Sequence, residues 1–322
     1  MPDDSAGIYS VPAGTIVSTG DTILPSQHNP WANDSASAIS ARFSKDGRAP
    51  ATGNWNLNGF RIMGLGAPVA GGDAVNKTYA DGLNAVFSSK GHIFGLTLSN
   101  NVADPTNDID VAVGEAASDG AIPYLMALAA PITKRLDAAW AVGSGNGGRD
   151  TGSIANTTYH VWLIQRSDTG VVDALFSTSA TSPTMPTNYD RKRRIGAIIR
   201  TSGSIAGFFQ VGDRFGLQVA SLTFQSNSSR AAAPLALLVP TGVPLLADIA
   251  VAPVSTSGNV LIVSGNDFQC FSASTATYLR YEIQAQTDLS GQITVGTSGT
   301  PSGANPWQIY TKGWIDYTRS TP

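Results

Sequence analysis

The chain has 322 residues, of which 42% are hydrophobic and 13% are charged, and its formal net charge is −3. This length and apolar fraction can build a sizeable core, which excludes a wholly disordered chain and leaves room for two or three domains. The charge argues against nucleic acid as a partner, because phosphate binding needs a concentrated excess of Lys and Arg. The 34 glycines and the many short β-branched runs between Gly, Ser, Asn and Pro clusters predict a mainly β protein.

The sequence indicates neither a redox-active cysteine nor a membrane span. Cys270 is the only cysteine, so it cannot form an internal disulfide, and its apolar neighbours predict a buried thiol. No segment approaches 18 uninterrupted apolar residues, and the first residues lack the pattern of a signal peptide. We therefore expect a protein that is made in a cytoplasm and has no membrane span.

Candidate metal ligands are not grouped at recognisable spacings. The histidines stand far apart, with no cysteine or carboxylate at zinc-ligand spacing: His28, His92 and His160. Three carboxylates offer the oxygen ligands that calcium prefers, but the Gly-containing loop of a known calcium motif is missing: Asp104, Asp108 and Asp110. We expect no metal and no cofactor.

Residues 1–50 are predicted to form a small N-terminal β/α unit. Thr19-Gly20-Asp21 separates two short β-branched runs, which predicts a hairpin. A helix is expected from Asn29, a good N-cap followed by a proline, to Asp46-Gly47. A unit of this size buries too little surface to be stable alone. We expect it to dock on a partner or on its own copies.

Residues 51–92 form a predicted junction. Its apolar side chains are too numerous to be exposed in a loop, yet the segment is too short to bury itself. These side chains are Leu57, Phe60, Ile62, Met63 and Leu65. The junction therefore needs a neighbouring domain or copies of itself, and a homotrimer would supply the copies.

A helix is predicted in the second half of this junction, with Asp73 as its N-cap. Its apolar residues recur at steps of four, four, three and one: Val75, Tyr79, Leu83, Val86 and Phe87. One interpretation is an amphipathic helix lying on a single domain. We prefer a short trimerising coiled coil, because the flanking sequence offers no core for the helix to cover and an isolated helix this short is marginal in water.

Residues 93–322 are predicted to form one β-rich domain. The run 159–166 is apolar on both alternating faces, as in a central strand, and 171–177 returns as its hairpin partner. A second hairpin is expected from 195–200 and 205–211. Similar runs recur at 260–263, 268–272 and 278–285. This spacing predicts an antiparallel β-sandwich, jelly-roll-like in its order.

The last strand, 307–317, has two distinct faces. Its odd positions suit a core: Trp307, Ile309, Ile315 and Tyr317. Its even positions are polar and include Tyr310 and Trp314, which fits a subunit interface or a ligand-binding surface. A bulge at Gly313 would exchange the faces of everything after it.

Three other segments have simpler interpretations. Residues 131–140 are predicted to form a turn or two of helix. The glycine run 143–148 is expected to be a flexible surface loop, because it lacks the Gly-Lys-Ser/Thr ending of a phosphate loop. The basic cluster 191–194 is interpreted as a solvated turn before a strand. No Gly-x-Ser-x-Gly lies between a strand and a helix, and no carboxylate pair stands out, so we do not expect an enzyme.

Several segments resemble a recurring pattern in tailed-bacteriophage tail-fibre and tail-spike proteins. The junction 57–68 with 73–81 resembles their passage from a β segment into a trimerising helix. Several later segments resemble a domain found at the C-terminal ends of such fibres: 139–143 with 147–152, 159–164, 173–177, 182–186, 193–196 and 313–316. The resemblance implies a homotrimer in the virion tail, docked on a tail or baseplate protein through its N-terminus.

The resemblance also implies that the C-terminal domain adsorbs to a host polysaccharide or outer-membrane receptor. Tyr310 and Trp314 suit sugar rings, while Asn146 and Asn305 stand in Gly- and Asn-containing loops at candidate tips. Burial between subunits is the alternative for the two aromatics. Two other functions stay open, a purely structural tail connector and a glycan-degrading tail spike, although the regular repeat of a long β-helix is not found.

Overall fold

The structure is a computed structural model that describes residues 56–80, 90–252, 258–264, 267–273, 280–298 and 306–319, with a few single positions before residue 55. In 258–273 only Ile262 has a described side chain. The chain divides into two units, Met1–Gly66 and Ala67–Pro322, and every strand among the described residues lies in the second. The division falls inside the junction 51–92.

Twenty strands lie in the described residues. The first ten are β1 Ile93–Gly95, β2 Leu98–Asn100, β3 Asp108–Val111, β4 Gly114–Ala117, β5 Leu125–Leu128, β6 Ile132–Ala139, β7 Asn146–Arg149, β8 Thr158–Gln165, β9 Val172–Ser177 and β10 Arg191–Thr201. The others are β11 Ser204–Ile205, β12 Phe208–Val211, β13 Arg214–Ser226, β14 Arg230–Ala236, β15 Leu246–Ala252, β16 Gly258–Ser264, β17 Asp267–Ala273, β18 Tyr281–Gln286, β19 Gln292–Ser298 and β20 Trp307–Ile315. A 3-10 turn, Tyr317–Arg319, follows the last strand.

The strands form four sheets, which confirms a mainly β protein. Their orders are β1-β4-β5, β11-β10-β8-β9-β7-β6-β3-β2, β12-β13-β20-β15-β18 and β14-β19-β16-β17. Two pairings, β6 with β7 and β7 with β9, are parallel, so the predicted purely antiparallel arrangement is wrong at this point. Four sheets also differ from the two of a simple jelly roll. Buried side chains of all four sheets belong to one hydrophobic core.

The two predicted hairpins are found, the second in a modified form. Strand β8 is buried along its whole length between β10 and β9, as its two apolar faces predict. Strands β10 and β11 meet in a tight turn where Ser202 and Gly203 both have positive φ, at 50° and 85°. The chain then leaves that sheet, and β12 pairs with β13 in the five-stranded sheet.

The local structure predicted for two segments is wrong. Residues 132–139 form strand β6 rather than a helix, with Lys134 and Leu136 buried while their neighbours face outward. The glycine run is not simply a loop, because Asn146–Arg149 forms β7 between β6 and β9. A Cβ on Gly147 would lie 1.9 Å from Ala139 O, so only glycine permits this close approach of strands.

The basic cluster 191–194 is also not a solvated turn, since it begins strand β10. Arg194 is buried and forms a bidentate ion pair with Asp316, at 2.7 and 2.8 Å. Arg193 donates to Arg319 O at 2.6 Å. The Arg319 guanidinium in turn binds Asp213 and three backbone carbonyls, those of Gly95, Ile195 and Gly212. These hydrogen bonds connect the 3-10 turn Tyr317–Arg319 to β1, β10 and the β12–β13 turn.

The Arg194–Asp316 pair gives a stability prediction. Burial by itself raises the pKa of Asp316, but the hydrogen bonds and charge of Arg194 outweigh it and hold that pKa below its usual value. Asp316→Ala would leave a buried guanidinium without its counter-ion, so we expect the free energy of unfolding to fall by about 3–5 kcal/mol. Urea denaturation followed by tryptophan fluorescence measures it.

Glu282→Ala is the control, because Glu282 pairs with Lys312 at an exposed position. We expect this variant to unfold at nearly the same urea concentration as the wild type. Similar losses in both variants would show that burial does not distinguish the two ion pairs.

A second prediction concerns the pH dependence of folding stability, to which His160 contributes. Burial and the nearby Arg194 lower the pKa of His160 to about 4. Below pH 6.5 the unfolded chain takes up a proton that the folded chain does not accept until about pH 4, so stability is lost across this window as pH falls. Between pH 7 and pH 5 we expect a loss of about 2 kcal/mol, which His160→Gln should remove in urea titrations. An unchanged loss in the variant would assign it to other groups.

Between residues 56 and 80 the junction is largely exposed. A turn at Asn58 and Gly59 is closed by Phe60 N donating to Leu57 O at 2.8 Å. Residues 77–80 are helical, and the cap is Asn76, whose Oδ1 accepts from Tyr79 N at 2.8 Å. The predicted cap is wrong: Asp73 accepts from the backbone of residues 69 and 70, one turn earlier.

Several predictions fall on residues that the structure does not describe. Of the N-terminal hairpin and helix, it describes the turn at Thr19 and Gly20 and the helical Asn33, while most of the rest lies outside the described residues. Leu83, Val86 and Phe87 also lie outside them, so the coiled coil and the trimer stay predictions. The Cys270 backbone pairs with Leu261, but its side chain is not described.

Candidate functional site

The outer face of the five-stranded sheet is the candidate site. Strand alternation places Gln308 and Tyr310 of β20 on this face, beside Ala250 of β15 and Glu282 of β18. The inner face of β20 carries Trp307, Ile309 and Thr311, all buried. The predicted division of this strand into a core face and a polar face is therefore confirmed as far as residue 311.

A bulge exchanges the faces beyond that point, as the sequence analysis anticipated. Asp248 pairs with Gly313 and Ile249 with Thr311, which leaves Lys312 as the extra residue. A Cβ on Gly313 would lie 2.1 Å from Phe215 O, so the bulge needs glycine. Trp314 is turned inward, where it is 1% exposed and stacks on Phe215 with ring centroids 5.3 Å apart. Trp314 is thus a core residue, and its predicted receptor contact is wrong.

A shallow cleft of about 200 Å³ opens on the outer face, between charged side chains of four strands. Arg214 Nε lies 3.0 Å from Asp248 Oδ2, and Lys312 Nζ lies 2.6 Å from Glu282 Oε1. Gln284 Nε2 donates to Asp248 Oδ1 at 3.1 Å. The hydrogen bond from Lys312 lowers the pKa of Glu282, so this carboxyl is ionised at neutral pH.

Tyr310 lies on the same face, partly exposed. Its hydroxyl donates to Gln308 Oε1 at 3.1 Å, and the Arg280 guanidinium stands 5.1 Å from its ring centre. Fixed amides, carboxylates and one aromatic ring can together exchange hydrogen bonds with hydroxyl groups and contact an apolar ring face. This arrangement suits the binding of a polyhydroxylated ligand.

The other two predicted contact residues do not join this site. Asn146 is exposed at the start of β7, where its amide donates to Val142 O at 2.7 Å and closes the preceding turn. Asn305 lies outside the described residues. The sequence analysis missed Asp248, Glu282 and Gln284, because no local motif marks them. Only the pairing of β20 with β15 and of β15 with β18 brings them together.

The carboxylates considered as calcium ligands have structural partners. Asp104 Oδ1 accepts from the backbone of Thr106 and Asn107, at 3.0 and 3.2 Å. Burial, with Asp104 nearby, raises the pKa of Asp108. Among the residues that the structure describes, no group of three His, Cys, Asp or Glu side chains is placed to hold a metal ion.

No protein-family model matches the chain, and no curated protein matches it. Within the described ranges, no helix is both long and apolar enough to cross a membrane.

The two aromatic residues of β20 provide a matched pair of variants. Trp314→Ala empties a fully packed position, so we expect the free energy of unfolding to fall by about 3–5 kcal/mol. Tyr310→Ala, on the opposite face of the same strand, should cost clearly less, because its ring is partly exposed. Urea denaturation of both variants measures the difference, and equal losses would contradict the assignment of the two faces.

Proposed function

We propose that the chain is a homotrimeric tail-fibre or receptor-binding protein of a tailed bacteriophage. In this proposal residues 1–50 dock on a tail or baseplate protein, a short coiled coil begins near Val75, and residues 93–322 form a sandwich-like domain that adsorbs to a host-surface glycan. The sequence resemblance supports this assignment, and so does the large β domain with polar groups in clefts on two of its sheets.

The main support for a trimer is that the apolar side chains of the junction are exposed in a single chain. In a single chain Phe60, Met63 and Val69 are 80%, 89% and 96% exposed, and Leu57 and Ile62 are 42% and 58% exposed. Fully burying one such side chain contributes about 1.5–3 kcal/mol. A run of this kind in one connected segment favours association with copies of itself over exposure to water.

The helical end of the junction is consistent with the same association. Val75 and Tyr79, the first two residues of the predicted seam, are 54% and 41% exposed in the single chain. A helix of a few turns is marginal in water without a partner for its apolar side. Three such helices packed together would cover Tyr79, whereas Val75 directly precedes the Asn76 cap and lies outside the helical residues.

The glycan-binding part of the proposal depends on the outer face at Tyr310. A cleft of this size contacts only part of a polysaccharide, so a single site is expected to be weak. Three domains per fibre and several fibres per virion raise the effective affinity through local concentration, without any new contact. Repeating surface polysaccharides are the ligands for which such avidity is useful.

The oligomeric state tests this proposal. Light scattering after gel filtration should give a mass about three times the 33.4 kDa of one chain. The double variant Met63→Asp with Val69→Asp should shift the mass towards the monomer, because buried carboxylates oppose association at the junction.

The matched control is Val102→Asp with Val219→Asp, at positions that are 96% and 81% exposed on the β domain. We expect this control to remain trimeric. A monomeric wild type would overturn the proposal, and a trimeric junction variant would show that other surfaces hold the chains together.

A further inference from the structure

A second cleft, of about 410 Å³, lies on the other large sheet, against strands β2, β3 and β6. Ser99, Asp110 and Thr133 stand in one row across these strands, because Ser99 pairs with Asp110 and Asp110 with Thr133. Thr97, Ala112 and Pro131 line the same cleft, each two residues from the polar row and just beyond the end of its strand. Rows on one face of a sheet are about 7 Å apart, which is close to the width of a sugar ring.

Asp110 is fixed at the centre of the polar row. Its Oδ1 accepts from Thr133 Oγ1 at 2.6 Å and from Asn101 Nδ2 at 2.9 Å. The Asn101 side chain is itself held, because its Oδ1 accepts from the backbone of residues 103 and 104. Among the described residues, no group donates to the other carboxylate oxygen, Oδ2. The cleft therefore contains an oriented and open acceptor.

Hydrogen bonds from buried side chains hold the loop beside the cleft. Ser144 Oγ accepts from Thr133 N at 3.0 Å, so the loop meets the polar row directly. Lys134, which is fully buried, donates to the carbonyls of Ala141 and Gly143 and lies 3.2 Å from Asp173 Oδ1. Asp173 Oδ2 accepts from Gly143 N at 2.7 Å. The Lys134 ammonium thus contacts two carbonyls of this loop and Asp173, which itself accepts from the loop.

We propose that this cleft binds a neutral saccharide unit. The open Asp110 oxygen accepts a hydroxyl hydrogen, and the exposed hydroxyls of Thr97 and Ser99 exchange hydrogen bonds with neighbouring hydroxyls. Ala112 and Pro131 contact the C–H face of the ring. No Lys or Arg is among the described residues that line the cleft, so an acidic sugar would meet an uncompensated carboxylate. This inference rests on the proposed function, since it takes the host glycan as the ligand.

Saturation-transfer NMR on the full chain tests the inference. The probes are a panel of neutral methyl glycosides of common hexoses and deoxyhexoses at millimolar concentration, with a methyl glucuronide as the acidic comparator. We expect at least one neutral glycoside to receive saturation and the glucuronide to receive none. Asp110→Asn should weaken the neutral ligand about tenfold or more, because the accepting oxygen is lost or replaced by a donor.

Asp168→Asn is the matched control, since Asp168 is an exposed carboxylate paired with Arg166 and lines neither cleft. It should leave the signal unchanged, and thermal unfolding checks that both variants are folded. The inference is overturned by unchanged binding in Asp110→Asn, by an equal loss in Asp168→Asn, by preference for the glucuronide, or by no signal with any neutral glycoside.

The two proposals fail separately. A trimer that adsorbs to cells but gives no Asp110-dependent signal would keep the proposed function and reject this cleft. Asp110-dependent binding by a monomer would keep the cleft and reject the trimeric fibre.

Discussion

Buried arginine–carboxylate contacts at the C-terminal turn hold together elements that are far apart in the sequence. Arg319 reaches carbonyls of residues 95, 195 and 212, while Arg194 closes on Asp316. Charges removed from water persist only when hydrogen bonds replace the lost hydration, and here nearly every donor has an acceptor. The first strand and the last turn of the domain are therefore bound into one network. Because this network forms only when the last residues have arrived, the domain is expected to fold as a single cooperative unit.

Lys134 and Asp173 have the same role on a smaller scale, next to a candidate site. Both side chains are almost fully buried, at 0% and 2% exposure, and burial lowers the pKa of Lys134 although Asp173 opposes that change. Their hydrogen bonds fix residues 141–143, which places Ser144 against Thr133. A chain with only 13% charged residues thus commits several of them to the interior. The clefts on its two largest sheets include hydroxyls, amides and paired ions among their lining groups, which can exchange hydrogen bonds with hydroxyl groups.

The sequence predicted the parts of the fold in which hydrophobic pattern and burial agree. Strand β8 is apolar on both faces and buried on both, and its hairpin with β9 follows from a turn between two such runs. The pattern was misleading where a charged residue is buried. Lys134 occupies a core position of β6, so the alternation of that strand is disguised and its helix-forming residues suggest a helix. Arg193 and Arg194 disguise the start of β10 in the same way, since arginines are ordinarily exposed.

The candidate sites were less predictable than the fold, because they depend on pairing between distant strands. Tyr310 was found from its place in a strand, and Trp314 was misassigned because one extra residue at Lys312 reverses the face. Asp110 and Thr133 are 23 residues apart and meet only because β3 pairs with β6, a pairing hidden when 131–140 is taken as a helix. Both clefts are shallow and lie on strands of rigid sheets, so each can present a preformed but weak site. Weak preformed sites become effective in numbers, which is why these clefts would matter most in the proposed trimer, and the exposed apolar junction is the feature on which that proposal rests.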